Sequence, residues 1–163
     1  MPLGSRRRRL TVPAAVFGDC LRDVTDTFPF ETGGVLLGGR ANGDFVVSTV
    51  VGAGPAARHS RSTFEPDQDW QSDAIARLWN DHGGGLEYLG DWHSHPGGLP
   101  RPSGRDRDVL ELIAADTGAR CPTPVMLIIA IDSSGRVRPA AFGLFGTRVR
   151  PVVLALTGVA TER

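Results

Sequence analysis

Val125-Met126-Leu127-Ile128-Ile129-Ala130-Ile131 is an unbroken apolar run, entered from Pro124 and left through Ser133-Ser134-Gly135. A stretch of that length without polar alternation reads as a strand buried on both faces. Such a strand needs sheet neighbours and covering helices, and the flanking sequence offers both. Downstream, Val137–Leu144 and Arg148–Leu156 have strand character. Upstream, Val35–Gly39 is apolar on both faces, and Phe45–Val51 is rich in β-branched residues. Asn42-Gly43-Asp44 between these two is a hairpin signal, and Leu86–His95 supplies a further strand.

Helical periodicity fills the remainder. Val16, Cys20, Val24 and Phe28 recur every four residues, which predicts a helix over Val12–Phe28 stopped by Pro29. Asp67 is a helix cap for a second helix reaching Asp81, with Trp70, Ala74, Ile75, Leu78 and Trp79 as its packing stripe. Ser103 opens a third, with Val109, Leu110, Ile113 and Ala114 turned inward. Residues Gly52–Pro66 read as a loop. The expected order is α-β-β-α-β-α-β-β-β, an α/β (α+β) single domain with a mixed sheet flanked by helices. The domain is expected over residues 11–157, between a basic tail at 1–10 and a C-terminal tail at 158–163.

Composition narrows the function classes. In 163 residues, 18 basic side chains, all Arg, balance 18 acidic ones. No whole-molecule field therefore draws in nucleic acid or an anionic membrane, and only Arg6–Arg9 could touch either. Cys20 and Cys121 are too few for a disulfide framework and fit a reducing, cytoplasmic setting. No apolar stretch reaches the roughly 18 residues that a membrane span requires.

Residues 90–106 carry the chemistry: Gly-Asp-Trp-His-Ser-His-Pro-Gly-Gly-Leu-Pro-Arg-Pro-Ser-Gly-Arg-Asp. On a strand, His93 and His95 share one face, about 6–7 Å apart, so both rings can reach a single ion. Asp106 falls in the first turn of the following helix, which the Pro-rich loop can fold back over the strand end. Two imidazoles and a carboxylate suit Zn²⁺ and leave a position for water, the pattern of a catalytic site. Ser103-Gly-Arg-Asp106 equally satisfies a plain helix-capping pattern. Asp91 lies on the His93 face as a candidate partner of that ring.

His93-Ser94-His95-Pro96, followed after six residues by Ser103-x-x-Asp106 and preceded by Glu31 with Gly34-Val35-Leu36-Leu37-Gly38, resembles the signature of JAMM (MPN-plus) zinc metalloproteases. Gly90, Trp92 and Phe64-x-Pro66-Asp67 are similar to prokaryotic members, some of which accompany bacterial ubiquitin-like conjugation and antiphage modules. The resemblance implies a cytidine-deaminase-like MPN architecture. It also implies one Zn²⁺ per chain held by His93, His95 and Asp106, with Glu31 as base and Ser103 as oxyanion donor. The implied reaction is hydrolysis after the C-terminal Gly-Gly of a ubiquitin-like or sulfur-carrier protein, in maturation or deconjugation. In that family the tail lies as an added strand beside the sheet, which points to Ala53–Phe64 and Gly97, Gly98 and Leu99 as channel walls.

Two other readings stand beside it. A non-catalytic MPN scaffold would lack a ligand or the glutamate, and all five positions are filled here. A zinc amidohydrolase acting on a small conjugate would share the same site. His59 and His82 read as exposed side chains, Cys20 as core, and Trp70 and Trp79 as packing.

Overall fold

The computed structural model describes residues 6–158. The elements run β1 (Arg9–Pro13), α1 (Ala14–Thr27), β2 (Gly33–Ala41), β3 (Asp44–Val51), β4 (Arg58–His59), β5 (Phe64–Glu65), α2 (Gln68–Asp81), β6 (Glu87–Pro96), α3 (Gly104–Ala115), β7 (Val125–Ile131), β8 (Val137–Phe145) and β9 (Arg148–Thr157). Seven strands form one mixed sheet in the order β1-β3-β2-β6-β7-β8-β9, and β1 pairs in parallel with both β3 and β9. The sheet therefore closes on itself and keeps no free edge. The β6–β7 pair is also parallel, and the four remaining pairs (β2–β3, β2–β6, β7–β8 and β8–β9) are antiparallel.

The apolar run at residues 125–131 is β7, and all seven of its residues are buried. Alternation divides them between two cores. Val125, Leu127, Ile129 and Ile131 join Leu10, Val12, Leu36, Trp92 and the α1 residues Phe17, Cys20 and Val24 in the main core. Met126 and Ile128 face the other way and pack with Leu110 of α3 and Leu144. On β2, Leu36 turns into the main core, while Val35 and Leu37 meet Ala74 of α2. The single-domain α/β arrangement of a mixed sheet with helices on it is thus built from strands that are apolar on both faces.

Several local expectations change. The helix expected from Val12 begins at Ala14, because Leu10 and Val12 alternate inward as strand β1. A residue preceding proline is pushed toward extended backbone, and Val12 precedes Pro13. Arg9 and Leu10, expected in the basic tail, belong to that strand, and Leu10 is fully buried. The segment 52–66, expected as loop, contains the short antiparallel ribbon β4–β5. Residues 1–5 and 159–163 of the two expected tails lie outside the described residues. Trp70 and Trp79 are 36% and 50% exposed; they rest against the backbones of Gly54 and Gly84 and not in the core. Among the described residues no helix is long and apolar enough to cross a membrane.

Candidate metal centre

Strand β6 sets the site. Opposite Leu36 and Leu37 of β2 it carries a bulge, with Leu36 facing Gly90 and Leu37 facing Tyr88. Gly90 has φ +141°, and a Cβ there would collide with the Val125 carbonyl, so only glycine fits. The extra residue shifts the alternation. Leu89 and Trp92 point into the main core, while Tyr88, Asp91, His93 and His95 fall on the opposite face. Tyr88 donates its hydroxyl to Asp91 Oδ1 at 2.6 Å. Burial pushes the Asp91 carboxyl up, against the pull of that hydrogen bond and of the His93 ring.

His93 Nε2 and His95 Nε2 stand 2.9 Å apart, and each lies 3.2 Å from an Asp106 carboxylate oxygen, Oδ1 and Oδ2 respectively. Ligand atoms about 2.0–2.2 Å from a tetrahedral ion are separated by little more than 3 Å, so this triangle has the size such an ion needs. The donor chemistry agrees. His95 Nδ1–H donates to the Leu99 carbonyl at 2.8 Å, which leaves the Nε2 lone pair facing the cluster. Burial disfavours charge on Asp106, yet hydrogen bonds from His93, His95 and the Ser103 amide hold its carboxyl far below the usual range. Burial likewise opposes charge on His95, and Asp106 with Leu99 raises the ring all the same. A pocket that stabilises a proton between these groups stabilises a metal cation for the same electrostatic reason.

Asp106 reaches the histidines because α3 starts beside them. Ser103 Oγ accepts from the Asp106 amide at 3.2 Å, and the Ser103 amide donates to Asp106 Oδ2 at 2.7 Å, a complete capping box. The helix-capping pattern is thus formed, and the same carboxylate faces both histidines. The Ser103 hydroxyl accepts with a lone pair and keeps its proton free to donate.

Glu31 arrives from the other side. Thr32 is locked to β6: its amide donates to Ser94 Oγ at 3.0 Å, and its carbonyl accepts from the Ser94 amide at 2.8 Å. Gly33 and Gly34 then run against β6 and β3 so closely that a Cβ would strike the Trp92 carbonyl at position 33 or the Val51 carbonyl at 34. Glu31 lines one cleft with His93, His95, Ser103 and Asp106, of about 550 Å³. Burial pushes its carboxyl up; His93 and His95 pull it back, Asp106 adds to the rise, and Arg105 opposes it.

All five expected site residues thus share one cleft. Of the expected channel walls, Arg61–Phe64 and Gly98 line it, whereas Ala53–Ser60, Gly97 and Leu99 are not among its lining residues. Three contributors escaped the sequence reading. Ser94 was passed over between its two histidines, although a polar residue on an inward-facing position signals a hydrogen-bonding task. Arg105 sits inside the Ser-x-x-Asp motif. His59 is exposed as expected, and its Nδ1–H donates to the Glu31 carbonyl at 2.8 Å. His82 caps the end of α2, bonded to the Leu78 carbonyl, and is not among the residues lining the cleft.

Residues 13–141 match the family described as prokaryotic homologs of the JAB domain. Over 120 residues, 72% of this chain and 73% of the relative, the sequence is 33% identical to a probable metalloprotease, y4qB, of Sinorhizobium fredii. Over 108 residues it is 36% identical to a CD-NTase/cGAS isopeptidase of Enterobacter hormaechei, a match spanning 64% of this chain and 58% of that one. The solution structure of protein DSY2949 from Desulfitobacterium hafniense shares the fold, with a TM-score of 0.70 over 91% of this chain and 92% of that chain at 24% identity. With its His-His-Asp cluster set on this fold, the chain belongs to the prokaryotic JAB family and is a JAMM-like protein.

Proposed function

We propose that the protein is a zinc-dependent isopeptidase or peptidase that cleaves after the C-terminal Gly-Gly of a ubiquitin-like or sulfur-carrier protein. The observation that carries this reading is the triangle of His93 Nε2, His95 Nε2 and the Asp106 carboxylate, 2.9–3.2 Å on a side, opening into a cleft that also holds Glu31. Relatives named metalloprotease and isopeptidase support it. Two neutral imidazoles and one carboxylate match Zn²⁺ in hardness and in number for an open site. When bound, the ion supplies Lewis-acid polarisation and lowers the pKa of water to about 7.

The chain's own groups do the rest. Glu31 takes the proton from the attacking water as the oxygen–carbon bond forms, and passes it to the amine nitrogen as the carbon–nitrogen bond breaks. Its raised carboxyl makes it a better matched base near neutral pH than an exposed glutamate. The Ser103 hydroxyl donates to the carbonyl oxygen as negative charge gathers there. The closed sheet offers no edge for a substrate tail, so the tail lies beside the ribbon β4–β5, whose connection Arg61–Thr63 borders the cleft. Glycines suit that path because the backbone can approach without side chains. A cytoplasmic setting fits the two unpaired, buried thiols.

The test is a zinc-loaded preparation offered a ubiquitin-like fusion with a Gly-Gly junction. Glu31→Gln is expected to keep zinc and fold while losing cleavage. Undiminished turnover in that variant removes Glu31 as the base. Hydrolysis of small amino-acyl conjugates with no action on any Gly-Gly fusion moves the assignment to a small-conjugate amidohydrolase.

A further inference from the structure

Glu31 lies between two separate pieces of structure. On one side its neighbour Thr32 is bonded to Ser94, between the two histidines of β6. On the other, the ribbon β4–β5 grips Glu31 itself. The Glu31 amide donates to the Ser60 carbonyl at 2.7 Å, and the Glu31 carbonyl accepts from His59 Nδ1–H at 2.8 Å. Ser60 is in turn fastened across the turn to Thr63, with its amide 2.8 Å from the Thr63 carbonyl. Phe64 then returns to the site. A Cβ on Gly33 would lie 2.7 Å from the Phe64 ring and 2.8 Å from His93 Cβ, and the Phe64 ring stacks over His59 at 6.5 Å between centroids.

An exposed backbone carbonyl normally satisfies itself with water. Here a side chain from an element 28 residues away takes that place, and both backbone groups of Glu31 are held by consecutive ribbon residues. We propose that His59 is a positioning residue: through the Glu31 carbonyl it fixes the carboxylate relative to the His93–His95–Asp106 cluster, so the base is set by the ribbon as well as by the sheet. The ribbon also borders the cleft through Arg61–Phe64, so a peptide lying along it bears on the same two hydrogen bonds. Occupancy of the ribbon and alignment of the base are thereby coupled. This inference rests on the reading of Glu31 as the base.

The geometry selects the variants. An asparagine Nδ2 sits at the reach of a histidine Nδ1, whereas a glutamine amide extends to the reach of Nε2. Zinc-loaded wild type, His59→Ala, His59→Gln, His59→Asn and Glu31→Gln are compared on a Gly-Gly fusion, with bound zinc measured and amide exchange at Glu31 followed by NMR. His59→Ala and His59→Gln are expected to lower kcat about ten- to hundredfold, with KM and zinc content within about twofold of wild type. The Glu31 amide exchanges roughly five- to tenfold faster in both, and His59→Asn restores kcat and protection. An unchanged Glu31 exchange rate in His59→Ala overturns the inference. So does failure of His59→Asn to rescue, or a joint fall of kcat, zinc content and apparent affinity that marks a merely structural loss. If wild type cleaves no Gly-Gly fusion, or Glu31→Gln turns over normally, the base reading fails. The exchange measurement, which needs no substrate, then decides the His59–Glu31 coupling alone.

Discussion

Ser103 and Asp106 hold each other: the Ser103 amide donates to Asp106 Oδ2 at 2.7 Å while the Asp106 amide donates to Ser103 Oγ at 3.2 Å. The first turn of α3 and the carboxylate of the His93–His95–Asp106 cluster are therefore one unit. Ser103→Ala removes the cap acceptor and the hydroxyl donor together. It is expected to cost about 1 kcal/mol of stability and to lower kcat by about 10²–10³. Ser103→Thr, which keeps the hydroxyl, is expected to retain most of both. A calorimetric scan paired with a turnover assay measures the two losses separately, and an unaltered kcat in Ser103→Ala removes the oxyanion role.

Each ligand variant has a distinct expected signature. Asp106→Asn keeps an oxygen for the Ser103 amide and so preserves the cap, but it removes the charge that offsets two rings. Its zinc affinity is expected to fall beyond the roughly 10–100-fold that loss of an outer partner costs, with the ion-free melting point nearly unchanged. Titration of the chelated proteins with zinc, read by calorimetry, checks this. In wild type, added zinc is expected to raise the melting point as free ion exceeds Kd, and no such rise is expected for His93→Ala.

Glu31 predicts an opposition between stability and function. Burial raises its carboxyl above the ordinary value of 4.5, despite the nearby rings and Arg105. A folded-state value above the unfolded one means that folding takes up protons there. Stability is therefore lost as pH rises through the interval between the two, and the loss is complete above the folded value. Glu31→Gln carries no such charge. In metal-free protein its melting point is expected to match wild type at pH 4 or below and to exceed it increasingly above the ordinary glutamate value. A gap that narrows with rising pH would show that the charged form is stabilised in the fold.

Gly34 lies directly against the β3 backbone. A Cβ there collides with the Val51 carbonyl and lies 2.9 Å from Trp92 Nε1, which itself donates to that carbonyl at 3.3 Å. Gly34→Ala is expected to destabilise the protein by about 1–3 kcal/mol, as overpacking does in a filled core. The strain sits three residues from Glu31, so cleavage is expected to drop as well. Urea unfolding with cleavage measured on the same samples tests both; wild-type stability in Gly34→Ala would mean that β2 can shift without cost.

Much of this was readable locally. The run 125–131 announces a strand buried on both faces, because neither face offers a polar residue to water. His93 and His95 must share a side of β6 by the two-residue period of any strand. Ser103 and Asp106 are joined by a pattern only three residues long. In each case the partners are near in sequence, and backbone geometry alone dictates which way they face.

What only the tertiary structure decided involves partners far apart along the chain. Leu10 reads as part of a basic tail and Val12 as the start of a helix until β3 and β9 accept β1 between them and close the sheet. The bulge that aligns Tyr88 and Asp91 with the histidines depends on how β2 registers on β6, which no local periodicity contains. Glu31 is brought to the His93–His95–Asp106 cluster by Ser94, 62 residues beyond Thr32. It is gripped from the far side by His59 in a segment whose sequence reads as plain loop. Short-range stereochemistry sets element type and face. Register and long-range hydrogen bonds are won only when the whole chain packs, and they place the Glu31 carboxylate in one cleft with the His-His-Asp cluster.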